Sequence, residues 1–155
     1  GSWAGAMGQS QFMPTSFLAY AADGDGDGKK DIWNNESDVF ASTANYLKRH
    51  NWVTGQNWGQ RVVLSDILPP LKLSERGLSR HKTVAKWADM GIIPASKKEP
   101  LPDDTSKKAR LYIPNGPSGK AFLVYSNFDT ILDWNRSSFF AYSVLALADA
   151  IGQKE

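Results

Sequence analysis

The sequence predicts an α+β fold, mainly helical, with a small mixed α/β insertion. Three observations lead there. Helical patterns occupy the two ends of the chain, around residues 14–51 and 137–152. The stretch between, roughly 52–118, holds all but one of the eight prolines. That same stretch carries short β-rich pieces rather than long periodic ones. At 155 residues the chain is long enough for one domain with a sizeable core. The expected division is a first core part at 1–58, an insertion at 59–118 and a closing core part at 119–155.

Taken in order, the chain opens on "GSWAGAMGQSQFMP", small residues beside Trp3, Phe12 and two methionines. Gly1 and Ser2 also match a cloning remnant. Pro14 followed by Thr15 and Ser16 suits a helix start, so "SFLAYAA" is read as one short helix. "DGDGDGKKD", residues 23–31, alternates Asp and Gly and cannot form a regular element. A second helix is expected with Ser37 as its cap and Asp38 at its positive end. Its inward stripe is Val39, Phe40, Ala44 and Leu47, and it ends near His50 and Asn51.

In the middle, "QRVVLSD" and "RLYIP" read as strands, and "RHKTVAKWADMG" at 80–91 as an amphipathic helix stopped by Gly91. "KAFLVY" at 120–125 is a further strand. The closing "SSFFAYSVLALADAIG" is almost wholly apolar or small, which predicts a buried helix ending at Gly152.

Composition narrows the function classes. The 18 Lys plus Arg against 16 Asp plus Glu leave a net charge of +2, with no basic run, so no nucleic-acid partner is expected. "YLKRH" and "SKKARLY" read as solvated faces. The absence of cysteine removes disulfide scaffolds, thiolate metal sites and a Cys nucleophile together. No apolar run approaches the roughly 20 residues that span a bilayer.

The Asp/Gly loop carries the clearest chemistry. Asp23, Asp25 and Asp27, with Gly28 at the sixth place, reproduce the opening of an EF-hand-type loop, D-x-D-x-D-G. Alternate oxygens of a turning loop converge on one centre, and the seventh place, Lys29, contributes its carbonyl. Asp31 adds a further oxygen. The twelfth place departs from the pattern, with Asn34 where a bidentate Glu belongs, so Asp38 is expected to close the coordination, ahead of Glu36. Several carboxylates converging without a cation would repel and raise one another's pKa. A structural Ca2+ is therefore expected; the alternative is an Asp/Gly turn without an ion. A sensor would pair two such loops with a Met-rich groove, and only three methionines are present.

The run A-G-A-M-G-x-x-Q-F-M-P, followed by the Asp/Gly loop and "ANYL", resembles the MltB-like family of lytic murein transglycosylases. The resemblance is close over 1–58, resumes in "YSNFDTILDWNRSSFFAYSVLALADAIG" and is loose between. It implies a lysozyme-like core and peptidoglycan glycan strands as substrate. It also implies cleavage of the MurNAc–GlcNAc bond by a single Glu acting as acid and then base, giving a 1,6-anhydro product. By the same resemblance that Glu falls upstream of Gly1. Glu36, Glu75, Glu99 and Glu155 match no catalytic position, so the chain alone is expected to be inactive and to work with the preceding part of the same domain.

Carried over residue by residue, the resemblance marks Ser2, Gln11, Tyr46, Trp134 and Asn135 as substrate-binding, with "WN" at 134–135 where the family tends to have Tyr-Asn. It implies a periplasmic or cell-envelope location, with any lipid anchor on the missing N-terminus. The rival reading is a non-catalytic, calcium-stabilised saccharide-binding or interaction module. His50 and His81 stand alone and read as surface or capping residues.

Overall fold

The structure, a computed structural model, describes residues 2–116 and 119–152; Gly1, Pro117 and Glu155 lie outside them. The fold is α+β and forms two compact units, Gly1–Trp52 and Val53–Glu155.

In the first unit, helix α1 spans Pro14–Tyr20 and helix α2 spans Glu36–Arg49. Contrary to the sequence reading, no Ser or Thr caps α1. Met13 takes the cap position without a side-chain bond, and Pro14 starts the helix because its fixed φ and missing N–H cost nothing there. The cap of α2 is Asn35, not Ser37: its side chain accepts the N–H groups of Ser37 and Asp38. The inward face also differs. Asp38, Ser42 and Tyr46 are the buried residues of α2, while Phe40 is exposed.

Backbone demand explains the inversion. Asp38 accepts the Gly24 N–H at 2.7 Å, and Ser42 Oγ accepts the Ala22 N–H at 2.9 Å. Asn45 Nδ2 donates to the Tyr20 carbonyl at 2.8 Å. The irregular chain after α1 has no ladder of its own, so α2 turns a polar face towards it. At Gly24 a Cβ would run into the backbone of Ser37, so the loop needs glycine there.

The second unit is built on a five-stranded antiparallel sheet. Its strands are β1 (Gly59–Leu64), β2 (Lys82–Thr83), β3 (Ile92–Pro94), β4 (Lys108–Tyr112) and β5 (Ala121–Val124), ordered β2-β4-β5-β1-β3. The three expected strands are present. The helix expected at 80–91 is shorter: Lys82–Thr83 pair with β4, and helix α3 covers only Val84–Asp89, capped by Thr83 Oγ1. The sheet runs across the expected boundary at 118–119, because β5 pairs with both β1 and β4.

Every residue of β5 is buried, since both faces of the sheet are covered. On one face Val62, Val84, Ile92, Leu111 and Leu123 surround Trp87, whose indole N–H donates to the Ala109 carbonyl at 3.0 Å. Facing the other way, Tyr112 and Phe122 meet Phe128 and Tyr142 with ring centroids 5.0–5.3 Å apart in the closest pairs. Phe128 comes from helix α4 (Ser126–Trp134), and Tyr142 from helix α5 (Ser138–Gly152).

Helix α5 begins one residue inside the expected segment and ends at Gly152, but it is not buried throughout. Ser138, Ala141 and Leu145 pack inward. Phe139, Phe140, Val144, Leu147 and Ile151 remain open to solvent, Leu147 and Ile151 by more than 60%. Nearly continuous apolar character marks a helix, and its packing partners decide how much of it is covered.

Candidate functional site

The first unit holds the candidate ion site. Asp23, Asp25 and Asp27 are brought together, each offering an oxygen within 4.8 Å of the others. The loop shapes itself through its own backbone. Asp23 accepts the N–H groups of Gly26 at 2.6 Å and Gly28 at 2.8 Å. Asp25 accepts from Asp27 at 3.1 Å, and Asp27 from Lys29 at 2.8 Å. Gly28, in the sixth place, sits at φ +86°, a left-handed turn that glycine adopts without strain. The Gly28 N–H, first among several backbone donors, holds the Asp23 carboxyl below its ordinary range. Mutual repulsion therefore does not govern Asp23.

The other two expected ligands stand differently. Asp31 accepts the N–H groups of Trp33 at 2.9 Å and Asn34 at 3.0 Å, and the Trp33 bond chiefly lowers its pKa. Asp38 is fully buried and pins the loop from α2, with Oδ1 on the Gly24 N–H and Oδ2 on the Asp31 N–H. Sequence reading passed over Asn35. Its amide donates to Asp25 Oδ2 at 2.7 Å while its oxygen caps α2, joining ion site and helix in one residue. An Asn directly before an acidic first turn is an N-terminal signal that could have found it.

The donor set fits a hard cation. Three carboxylates converge on one centre. Ca2+ there would be held by Asp23, Asp25 and Asp27.

Around the opening stretch, Met7 and Phe12 form an isolated antiparallel bridge, which closes a tight loop. Gly8 lies under Ile32, where a Cβ would strike the Ile32 carbonyl. Gln9 fastens this loop to the turn after the acidic segment, its N–H on the Ile32 carbonyl at 2.8 Å and its amide on that of Trp33 at 3.0 Å. Gln11 is exposed at φ +51°, with its amide donating to the Gly8 carbonyl at 2.7 Å. Ser2 Oγ accepts the Ala6 N–H at 3.0 Å. Tyr46 is buried and stacks on His50 at 3.9 Å, with Tyr20 edge-on at 4.9 Å and Phe12 at 5.8 Å. His50 is thus part of an aromatic cluster rather than a free surface residue.

In the second unit, Trp134 ends α4 half-buried, and Asn135 caps it with its backbone N–H on the Ile131 carbonyl at 3.0 Å, while its Oδ1 accepts the Ser137 N–H at 3.0 Å. Three of the five expected sugar-binding residues therefore lie in the first unit and two in the second. His81 is paired: its Nε2 lies 2.9 Å from Asp129, which also holds Arg110 at 2.9 Å.

The Transglycosylase SLT domain family matches residues 1–149. The chain belongs to that family. Among curated members of this transglycosylase group, the chain is 33% identical to membrane-bound lytic murein transglycosylase B of Escherichia coli K12 over 151 residues. That match covers 97% of the chain and 39% of the relative. SltB3 of Pseudomonas aeruginosa, solved with NAG-anhNAM-pentapeptide, superposes at a TM-score of 0.83 with 45% identity, over 97% of this chain and 39% of that one. Slt35 of Escherichia coli, solved in complex with calcium, superposes at 0.80 with 31% identity, over 99% and 46%. The chain thus spans about two fifths of the length of the first two relatives and under half of the third. No described helix is long and apolar enough to cross a membrane.

Proposed function

We propose that this chain is the cleft-bearing portion of a peptidoglycan lytic transglycosylase. The whole domain cleaves the MurNAc–GlcNAc bond and leaves a 1,6-anhydro-MurNAc end. The observation that carries this reading is the family match over residues 1–149, joined to 45% identity with a protein solved on a NAG-anhNAM peptide.

The acid that donates to the leaving oxygen, then accepts the 6-hydroxyl proton, is a Glu upstream of Gly1. A glycosidase acid needs an apolar pocket to stay protonated. Glu36, Glu75 and Glu99 are all exposed, and the buried Asp38 is occupied by two backbone donors. The stripe Phe140, Val144, Leu147 and Ile151 on α5 supports the same view, as a face suited to the part of the domain that carries the acid.

Ser2, Gln11, Tyr46, Trp134 and Asn135 are the proposed sugar contacts. Amides and aromatic planes suit N-acetylated sugars, whose ring faces stack and whose acetamido groups need partners. A lysozyme-like, mainly helical core, with the five-stranded sheet as its mixed insertion, belongs to the same proposal. Ca2+ in the loop has a structural role, with Lys29 contributing its carbonyl and Asp31 and Asp38 supporting the carboxylate trio. The proposed location is the periplasmic face of the cell envelope.

The test is digestion of purified murein sacculi by this chain and by a version extended upstream, with products read by mass spectrometry. Anhydromuropeptides are expected from the extended protein only. Their release by the 155-residue chain would refute the upstream acid. If neither protein releases them while the short chain pellets with sacculi, the non-catalytic saccharide-binding module takes its place.

A further inference from the structure

Two hollows adjoin on the second unit, of about 420 Å³ and about 470 Å³, and share Lys72, Ser79 and Arg80 in their linings. Lys82 lines the first, and His81 and Arg110 line the second. Neither lining contains an acidic residue. The whole sequence carries a net charge of only +2, so this cationic concentration is local rather than a property of the protein at large. Asp129 neutralises Arg110 and faces His81 from α4. Lys72 and Arg80 are exposed, and no ion pair is formed by either among the described residues.

The floor is of another kind. Leu71, Leu73 and Met90 are partly buried against the core, and Pro69 and Pro70 form a stiff wall. An apolar floor under a cationic rim suits an extended chain that offers small apolar side chains and carboxylates alternately. In the intact polymer the lactyl carboxyl of each MurNAc is taken up in the amide bond to its peptide, so the glycan there offers hydroxyls and acetamido groups but no fixed negative charge to match the rim.

We infer that this groove binds an acidic peptide through its carboxylates, and that in the peptidoglycan substrate the occupant is the stem peptide rather than the glycan. The inference rests on the peptidoglycan reading for the source of the peptide; the groove's preference for carboxylates stands on its own charge. Binding weakens as salt screens the rim, since exposed charges are screened over about 10 Å at 0.1 M ionic strength.

The experiment uses the 155-residue chain and its Lys72→Ala/Arg80→Ala variant; both side chains are exposed, so the fold is retained. Each is titrated by NMR with a synthetic Ala- and Glu-containing pentapeptide with a free C-terminus, and with its fully amidated counterpart. Pelleting is then measured with intact sacculi and with sacculi stripped of peptides by an amidase. Saturable binding of the acidic peptide is expected, weakened at least about five-fold in the variant and absent for the amidated peptide. Equal binding of both peptides, or equal affinity of both proteins, overturns the proposal. So does displacement of every shifted resonance by a phosphodiester polymer but not by the peptide. Pelleting of both proteins with stripped sacculi, beside a failed titration, would sink the groove and leave the glycan reading standing. Carboxylate-dependent peptide binding with no pelleting on either preparation would uphold the groove and refute the peptidoglycan reading.

Discussion

Asp38 on α2 accepts the backbone N–H of Asp31 at 2.6 Å, so one buried carboxylate fastens the far end of the acidic loop to the helix that follows it. Its other oxygen fastens the near end at Gly24. Asp38→Ala removes both bonds and leaves two backbone donors without partners. A loss of about 3 kcal/mol is expected, read by urea denaturation with far-UV dichroism. Asp38→Asn, which keeps one acceptor oxygen, should lose less.

Calcium should stabilise the first unit through the three converging carboxylates. At a hundred-fold excess over its Kd the gain is about 2.7 kcal/mol, visible as a higher melting temperature that EDTA reverses. Asp25→Asn with Asp27→Asn should remove the response. Lys29→Ala should keep it, because that position contributes backbone.

Acid should loosen the loop over a defined window. Asp23 has its pKa lowered from 3.8 by backbone donors, chiefly Gly28, so it favours the folded loop when charged. That stabilisation is complete above the unfolded value and fades as pH falls from 3.8 through the depressed folded value. Asp31 follows the same sign through the Trp33 and Asn34 amides. Amide shifts of Gly26 and Gly28 in a pH titration check it; a transition centred above pH 4 would contradict it.

Trp87→Phe should cost about 2 kcal/mol in thermal unfolding. It removes the indole donor from the Ala109 carbonyl and leaves a void where the side chain was fully buried. The sheet register should survive, because Lys82↔Ala109 pairing is backbone-borne.

Legibility of the sequence divides along physical lines. The Asp/Gly loop was readable because alternating carboxylates and a left-handed glycine have few other uses. Strands β1, β4 and β5 were readable from β-branched and aromatic runs. Periodicity failed on α2, where Phe40 is outside and Ser42 inside, because the inward face answers an irregular backbone rather than an apolar core. Helix α4 was missed as an element although Phe128 and Ile131 lie three apart and are buried. Strands β2 and β3 are too short for any pattern. At the candidate site, the sequence supplied the residue types of Gln11 and Tyr46. It had no means of showing that the Gln11 amide turns back on Gly8 or that Tyr46 stacks on His50.

The pairing of β1 with β5 has a consequence for how the protein is made. Gly59 lies opposite Val124, and Val62 opposite Ala121, so the contact closes across some sixty intervening residues. A ribosome delivers the loop and α2 complete while β1 still has no partner on that edge. Half of the second unit must wait for its central strand, and the late closure of so long a segment sets a slow step. Translation pauses placed once residues 121–124 have cleared the ribosome would let the sheet form, whereas earlier pauses would hold Val62 and its neighbours open to chaperones.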